Sequence, residues 1–449
     1  MARNNVSRRD FVKTSAAIGA GYWVAGGLAS KASAMANGQI QFACIGFGGK
    51  GGSDFKDAGD NGKIVAVCDV DDKAVAKAAA KYKGSEKFSD YREMLERMGK
   101  SIDAVTVSTP DHNHAAVSLL YMRAGKHCFC QKPLTRTIYE ADLMGRVAAD
   151  MKVATQMGNQ GTANDSLRKV AALIRGGAVG DVKEVHVWTN RPIWPQGGNR
   201  PTPKAPPKEL HWDLWLGTAK ARPFGEGIHP FKWRGFWDFG SGALGDMACH
   251  TVNMPFMALD LFDPISVEAE SSGNNTLMYP NWSIIKFEFP KNDSRPALSL
   301  TWYDGGKRPK DELFEGKTPA ISGALVVGDK GKLYAPGDYC ENPHTLMGGA
   351  QEPKVEFPKS PGHFEEWVRA IKTNNAEPAM SNFPSYASRL TKTILLGNLA
   401  VWAGTKVNWD AKAMKGTTGL PELDAELQGI VRPTYRQGYV LEETRLTSR

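Results

Sequence analysis

A short apolar run, Ile40–Ile45, passes straight into Gly46-Phe-Gly48-Gly-Lys-Gly51, and few architectures accommodate that order. A strand ending in such a turn needs glycine where the chain reverses, where its backbone must approach a bulky group, and where a helix starts close against the strand. The first amides of that helix then face an anion, which makes the turn a pyrophosphate cradle. A glycine-rich surface turn would satisfy the same letters, so the context decides. A second apolar run at 63–68 ends in Asp69, 23 residues after Gly46, where a carboxylate can accept hydrogen bonds from adenosine ribose hydroxyls. No arginine follows in CDVDDKAV, and Asp69, Asp71 and Asp72 would repel a 2′-phosphate. NAD is therefore expected rather than NADP.

The pattern keeps alternating to about residue 160. Helical composition at 71–83, 90–98, 115–124 and 139–150 is interleaved with apolar strand runs at 102–108, 126–130 and 153–157. This predicts an α/β fold whose N-terminal Rossmann dinucleotide-binding domain covers 38–160, with functional loops at the carboxyl ends of its strands, Thr109-Pro110 and Gln131-Lys132-Pro133 among them. From 161 to 449 the pattern changes. After a helix at 166–175, strands at 182–189, 266–270, 283–289 and 297–303 and the hairpin ALVVGDKGKLYA follow with few helices between them. An α+β domain with a large open, mostly antiparallel sheet is expected, one face closing the substrate site and the other free to meet a second subunit in a homo-oligomer. Helices are expected again at 364–372 and 385–403, and residues 431–449 read as an extended arm.

Residues 188–240 interrupt this domain with Trp188, Trp194, Trp212, Trp215, Trp233 and Trp237, half of the chain's 12 tryptophans, among many Pro and Gly. The stretch reads as a long ordered loop. Indole faces stack on the C–H faces of pyranosides, so Trp194, Trp233 and Trp237 are candidate substrate residues; a loop clamped on its own tryptophans is the alternative.

The N-terminus carries Arg8-Arg9, then an Ala/Gly-rich run and the small-x-small sites Ala32-Ser33-Ala34 and Ala34-Met35-Ala36. This resembles a twin-arginine export signal over 1–36, removed on export of the folded protein to the periplasm. Its loss lowers the formal charge from +8 to about +4. No long basic block remains to track phosphates, so nucleic acid is not expected as a partner. No later apolar run is long enough to span a membrane. Six cysteines in a chain that folds before export are expected as thiols, and Cys128-Phe129-Cys130 has the wrong spacing for zinc, so no metal site is assigned.

Taken in order, IGFGGKG, STPDHNH, QKP, GDMACH and the closing HFEEWVRAIK to GNLAVWAGTKVNWD resemble the glucose-fructose oxidoreductase, inositol dehydrogenase and rhizopine-catabolism (Gfo/Idh/MocA) family of NAD(P)-dependent sugar oxidoreductases. The resemblance spans essentially all of the chain after residue 36. It implies that Lys132 lies near the nicotinamide ribose and the reacting hydroxyl, that Asp246 and His250 are the Asp-x-x-x-His pair of the second domain, and that Thr109, Pro110 and His114 line the cofactor. Gln131 stands where the family has glutamate. With the glycine turn, the expected cofactor set is Gly46, Gly48, Gly51, Asp69, Thr109, Pro110, His114, Gln131 and Lys132, and the expected catalytic set Lys132, Asp246 and His250.

The chemistry is coherent on its own terms. Asp246 and His250 are one helical turn apart, so the carboxylate is expected to fix the histidine tautomer and make the ring a base toward a sugar hydroxyl. A lysine ammonium would stabilise the developing alkoxide. His112 and His211 read as structural histidines. The expected activity is an exported oxidoreductase acting on CH–OH groups of carbohydrates with tightly held NAD, loaded in the cytoplasm. Alternatives are an NAD-dependent glycoside hydrolase working by transient oxidation, elimination and re-reduction, and a sugar-binding protein without turnover.

Overall fold

The computed structural model describes residues 38–439 and Leu441. The export signal expected over 1–36 and the end of the C-terminal arm lie outside the described residues.

The first sheet is built from β1 (Ile40–Ile45), β2 (Gly62–Cys68), β3 (Glu86–Phe88), β4 (Ala104–Val107), β5 (His127–Cys130) and β6 (Thr155–Met157), in the order β3-β2-β1-β4-β5-β6. All its pairs are parallel. Parallel strands need crossovers, and the helices that supply them cover both faces, which is why β1 and β4 are apolar almost without alternation. Helix starts are set by local chemistry. Asp71 and Asp90 cap the Asp72–Lys81 and Tyr91–Met98 helices, and Thr137 with Glu140 forms a capping box on Ile138–Met151.

Two features differ from the sequence pattern. The helix expected at 115–124 begins earlier, as Asp111–Arg123, directly after Pro110, because the polar Asp111, His112, Asn113 and His114 are buried and hydrogen-bonded there. The His363–Lys372 helix, expected within the second domain, lies against the first sheet. Its apolar face, Phe364, Trp367, Val368 and Ile371, returns to the first sheet and packs on Phe42 and Phe129. Burying such side chains contributes about 1.5–3 kcal/mol each, enough to dock the helix across that distance in sequence.

The second sheet comprises β7 (Val182–Trp188), β8 (Ser266–Ser271), β9 (Ser283–Phe289), β10 (Leu298–Tyr303), β11 (Gly323–Gly328), β12 (Gly331–Pro336), β13 (Thr345–Met347), β14 (Val407–Asp410) and β15 (Lys415–Thr417), ordered β13-β12-β11-β7-β10-β9-β8-β14-β15. Only β7 and β10 pair in parallel. Between them in sequence lie the tryptophan-rich insert and the Gly242–Thr251 and Asn253–Leu259 helices, the crossover that a parallel pair demands. Alternation along β9 and β10 buries Ile285, Phe287, Phe289, Leu300 and Trp302 in the core on one face, while Glu268, Lys286 and Glu288 line the open one. The Ser388–Ala403 helix, entered through a π turn at Phe383–Ala387, contacts β8 and β9 and also the Ile138–Met151 helix, joining the two domains. Among the described residues no helix is long and apolar enough to cross a membrane.

Candidate active site

The glycine turn has the geometry a pyrophosphate cradle needs. A Cβ on Gly51 would lie 1.8 Å from the Gly46 carbonyl oxygen, and one on Gly46, where φ is +83°, would meet Ser108 O at 2.6 Å. A Cβ on Gly48 would meet nothing within 4 Å, so that backbone is open to a ligand. Asp69, at the end of β2, pins the turn: its Oδ2 accepts from Phe47 N at 2.7 Å and its Oδ1 from Asp71 N at 3.0 Å. Burial pushes this carboxyl up, while the two amides act against that shift. Each carboxylate oxygen keeps a lone pair for a ribose hydroxyl. These residues fit a dinucleotide.

Gln131, at the end of β5, is buried and donates Nε2 to both oxygens of Asp54, at 3.1 and 2.9 Å. Asp54 also accepts from Ser108 Oγ at 2.7 Å and pairs with Lys50 Nζ at 3.2 Å. A carboxylate therefore does stand beside the lysine loop, but it belongs to the first helix, and the amide at 131 is the donor that this carboxylate requires.

Lys132 Nζ lies 2.7 Å from Asp246 Oδ1 and 3.0 Å from the Asp246 carbonyl oxygen. Asp246 sits on the Gly242–Thr251 helix, fully inside the protein, and shares the same Oδ1 with Arg234 Nη1 at 3.2 Å. Burial alone would raise the Asp246 carboxyl; Arg234 and Lys132 hold it well below the ordinary carboxylate range. Arg234 reaches as well to Asp111 Oδ1 at 3.2 Å, and Ser241 Oγ donates to Asp111 Oδ2 at 2.6 Å. Two cations thus face two carboxylates in one desolvated cluster.

The expected Asp246–His250 hydrogen bond is not formed. The carboxylate is turned to Lys132 and Arg234, and His250 Nδ1 is buried without a partner among the described residues. The His250 ring packs edge-on against Tyr339, centroids 4.7 Å apart. Burial, reinforced by the Lys132 cation, keeps His250 well below the ordinary histidine range, hence neutral at pH 7. Its neighbour set, not a tautomer lock, defines its state.

His114 serves as a strut. Nδ1 lies 2.8 Å from Pro133 O and Nε2 2.8 Å from Thr109 O, so the ring ties the Thr109-Pro110 loop to the Lys132-Pro133 loop. His112 is a core histidine between Phe239 O and Trp215 O, at 3.2 and 3.0 Å. His211 is half-exposed beside Asp72, 2.9 Å away.

The insert both packs on itself and serves the site. Leu210, Trp215, Phe224, Ile228, Phe236 and Phe239 form its own core. Trp194 and Trp233 are buried, and the Arg234 guanidinium lies over their rings, 5.5 and 4.3 Å from the centroids. Two of the three candidate substrate tryptophans therefore clamp a cation of the Lys132–Asp246–Arg234 cluster. Trp237 lies elsewhere, 3.8 Å from the Tyr279 ring centroid and lining a separate cavity with Trp402. Arg234 was not singled out from the sequence; the only signal was a cation set between two tryptophans.

Two family models match the chain: an oxidoreductase family's NAD-binding Rossmann fold over residues 40–159, and that family's C-terminal alpha/beta domain over 167–435. Levoglucosan dehydrogenase of Pseudarthrobacter phenanthrenivorans is 25% identical over 188 residues, 42% of this chain and 40% of that one. A glycosyl hydrolase family 109 protein of Solibacter usitatus is 31% identical over 173 residues, 35% of this chain and 40% of that one. Each match thus spans only two fifths of the relative. The crystal structure of the WlbA dehydrogenase from Chromobacterium violaceum, in complex with NADH and UDP-GlcNAcA, superposes with a TM-score of 0.60 at 19% identity, covering 83% of this chain and 96% of that one. This likeness establishes the shared fold.

Proposed function

Because the chain belongs to the GFO/IDH/MocA oxidoreductase family, with both its NAD-binding and its C-terminal domain matched, we propose that it moves a hydride between a hydroxyl-bearing carbon of a sugar or sugar derivative and a nicotinamide cofactor. The observation that carries this reading is the Lys132–Asp246–Arg234 cluster, with its 2.7 Å ion pair, set where the strand ends of the first sheet meet the Gly242–Thr251 helix. Bound NAD supplies the hydride acceptor. The Lys132 ammonium, fixed by two contacts to Asp246, stabilises negative charge on a hydroxyl oxygen brought against it. The neutral His250 ring takes the hydroxyl proton at its unprotonated nitrogen. Asp111 and Asp246 balance Arg234 and Lys132, which favours an uncharged polyol as substrate over a uronate.

NAD rather than NADP is supported by the carboxylates of Asp69, Asp71 and Asp72. Slow release of the cofactor is supported by the insert, which closes over that same edge: His211 N donates to Val70 O at 2.9 Å, Asp72 N to Glu209 O at 3.0 Å, and His229 lies 3.7 Å from Asp71. Retained NAD in turn accounts for the twin-arginine signal, since only a folded, loaded protein would carry cofactor to the periplasm. A homo-oligomer formed through the open face of the second sheet completes the proposal. Purified protein is tested by adding a panel of aldoses, inositols and anhydrosugars and reading the reduced-nicotinamide absorbance. Growth of the band with a neutral sugar supports the reading, and no response with NAD bound overturns it.

The glycosyl hydrolase family 109 relative favours a second reading, glycoside cleavage by transient oxidation and re-reduction. Release of nitrophenol from a nitrophenyl glycoside without any added acceptor would select it.

A further inference from the structure

A cavity of about 230 Å³ lies apart from the catalytic cluster; Lys132, Arg234, Asp246 and His250 do not line it. Its wall joins Arg136 from the loop before the Ile138–Met151 helix, Lys220, Arg222 and Trp237 from the insert, Trp402 from the Ser388–Ala403 helix, and the chain at 429–434. The lining carries more cations than carboxylates, although the buried Glu140 behind it interacts electrostatically with Arg136. Asp238 is its one carboxylate among the described lining residues, and it is already shared by Arg222 and Arg200. Arg136 donates Nη1 to the Trp237 carbonyl oxygen at 3.0 Å, and neither Arg136 nor Lys220 has a carboxylate within salt-bridge reach among the described residues.

Two N–H donors of the wall, Arg136 Nε and Trp237 Nε1, are buried without a partner among the described residues. Leaving such donors unpaired costs about 1–3 kcal/mol each. The Trp237 and Trp402 rings meet edge to face with centroids 5.0 Å apart, giving the wall an aromatic surface suited to C–H groups. Asn398 lines it as well and spends its Nδ2 on Ser241 O, which leaves its Oδ1 to accept from a hydroxyl.

We propose that this cavity is a second, non-catalytic binding site for a small hydroxylated carboxylate of the sugar-acid type. The carboxylate meets Lys220 and Arg136, and the hydroxylated chain lies against the aromatic wall. Calorimetry on the NAD-loaded protein, with D-gluconate and D-glucuronate as probes, tests it. Binding should persist in Lys132→Met, which separates this cavity from the catalytic one, and should weaken at least tenfold in Lys220→Glu and in Arg136→Gln. Turnover of the neutral sugar by Lys220→Glu should be unchanged. Lys220 is exposed, so its replacement leaves the fold intact, which a thermal melt checks. Failure of both acids to bind, binding untouched by both cavity variants, or loss of binding in Lys132→Met would overturn the proposal. Equal binding of inorganic phosphate would overturn the sugar-acid assignment.

Discussion

Gln131 Nε2 sits 2.9 Å from Asp54 Oδ2, an amide donating to a buried carboxylate that already holds Lys50 and Ser108. A carboxylate at 131 would be the wrong partner: two acceptors would face each other where one donor is needed. Gln131→Glu is therefore expected to lower unfolding free energy by about 2 kcal/mol and to weaken NAD binding. Adding Asp54→Asn to Gln131→Glu restores a donor–acceptor pair and most of the loss. Urea denaturation of the wild type and the two variants measures this; recovery absent in the double variant would show that the pair is not coupled.

Arg234 joins the insert to two buried carboxylates, 3.2 Å from both Asp111 and Asp246. Arg234→Ala leaves Asp111 with Ser241 alone and frees Trp194 and Trp233 from their cation. A fall of about 100-fold in kcat/KM is expected, close to 2.7 kcal/mol of transition-state stabilisation. Arg234→Lys should recover little: one nitrogen, Nη1, meets both carboxylates, and an ammonium lacks the delocalised plane that lies over the Trp194 and Trp233 rings while doing so. Steady-state kinetics on the responsive sugar decides it.

Asp69 combines two tasks in the proposed function: its oxygens accept from Phe47 N and Asp71 N, and their remaining lone pairs serve the adenosine ribose. Asp69→Ala should therefore cost more than a ribose contact, weakening NAD by about 100-fold. Asp69→Asn retains one acceptor and should fall between. Titration of apoprotein by tryptophan fluorescence gives both constants.

Burial, outweighing backbone carbonyls at His112 and His363, holds His112, His127 and His363 at about 4 against an ordinary 6.5. Their folded values are depressed, so below about pH 6.5 the unfolded chain takes up protons that the folded protein refuses. Stability is fully present above that pH and is lost as pH falls towards about 4, by up to roughly 1.4 kcal/mol per pH unit for each ring. Denaturation midpoints across this window test the slope, which His363→Gln should reduce by one proton.

Local chemistry made much of the fold legible. The glycine turn, Asp69 and the apolar strands of the first sheet follow rules that act over a few residues, and so do β9 and β10 with their two-residue alternation. What escaped was set by distant partners. The Glu86–Phe88 strand is three residues at a sheet edge, too short to leave a pattern. The Pro421–Val431 helix begins at a proline and buries only Leu427 and Val431, so its apolar signal is weak. Asp246 and His250 were legible as neighbours on one helix face, yet the hydrogen bond expected between them is absent, because Lys132 and Arg234 arrive from other elements and take the carboxylate. Arg234 comes from a Pro/Gly-rich insert whose path no periodicity describes.

The most direct test of the account is a single-turnover measurement of cofactor reduction in NAD-loaded wild type and Lys132→Met at saturating sugar. The Lys132–Asp246–Arg234 cluster predicts a rate about a thousandfold lower in the variant, with cofactor still bound. Equal rates in the two proteins would contradict the assignment of this cluster as the site where the hydroxyl is activated.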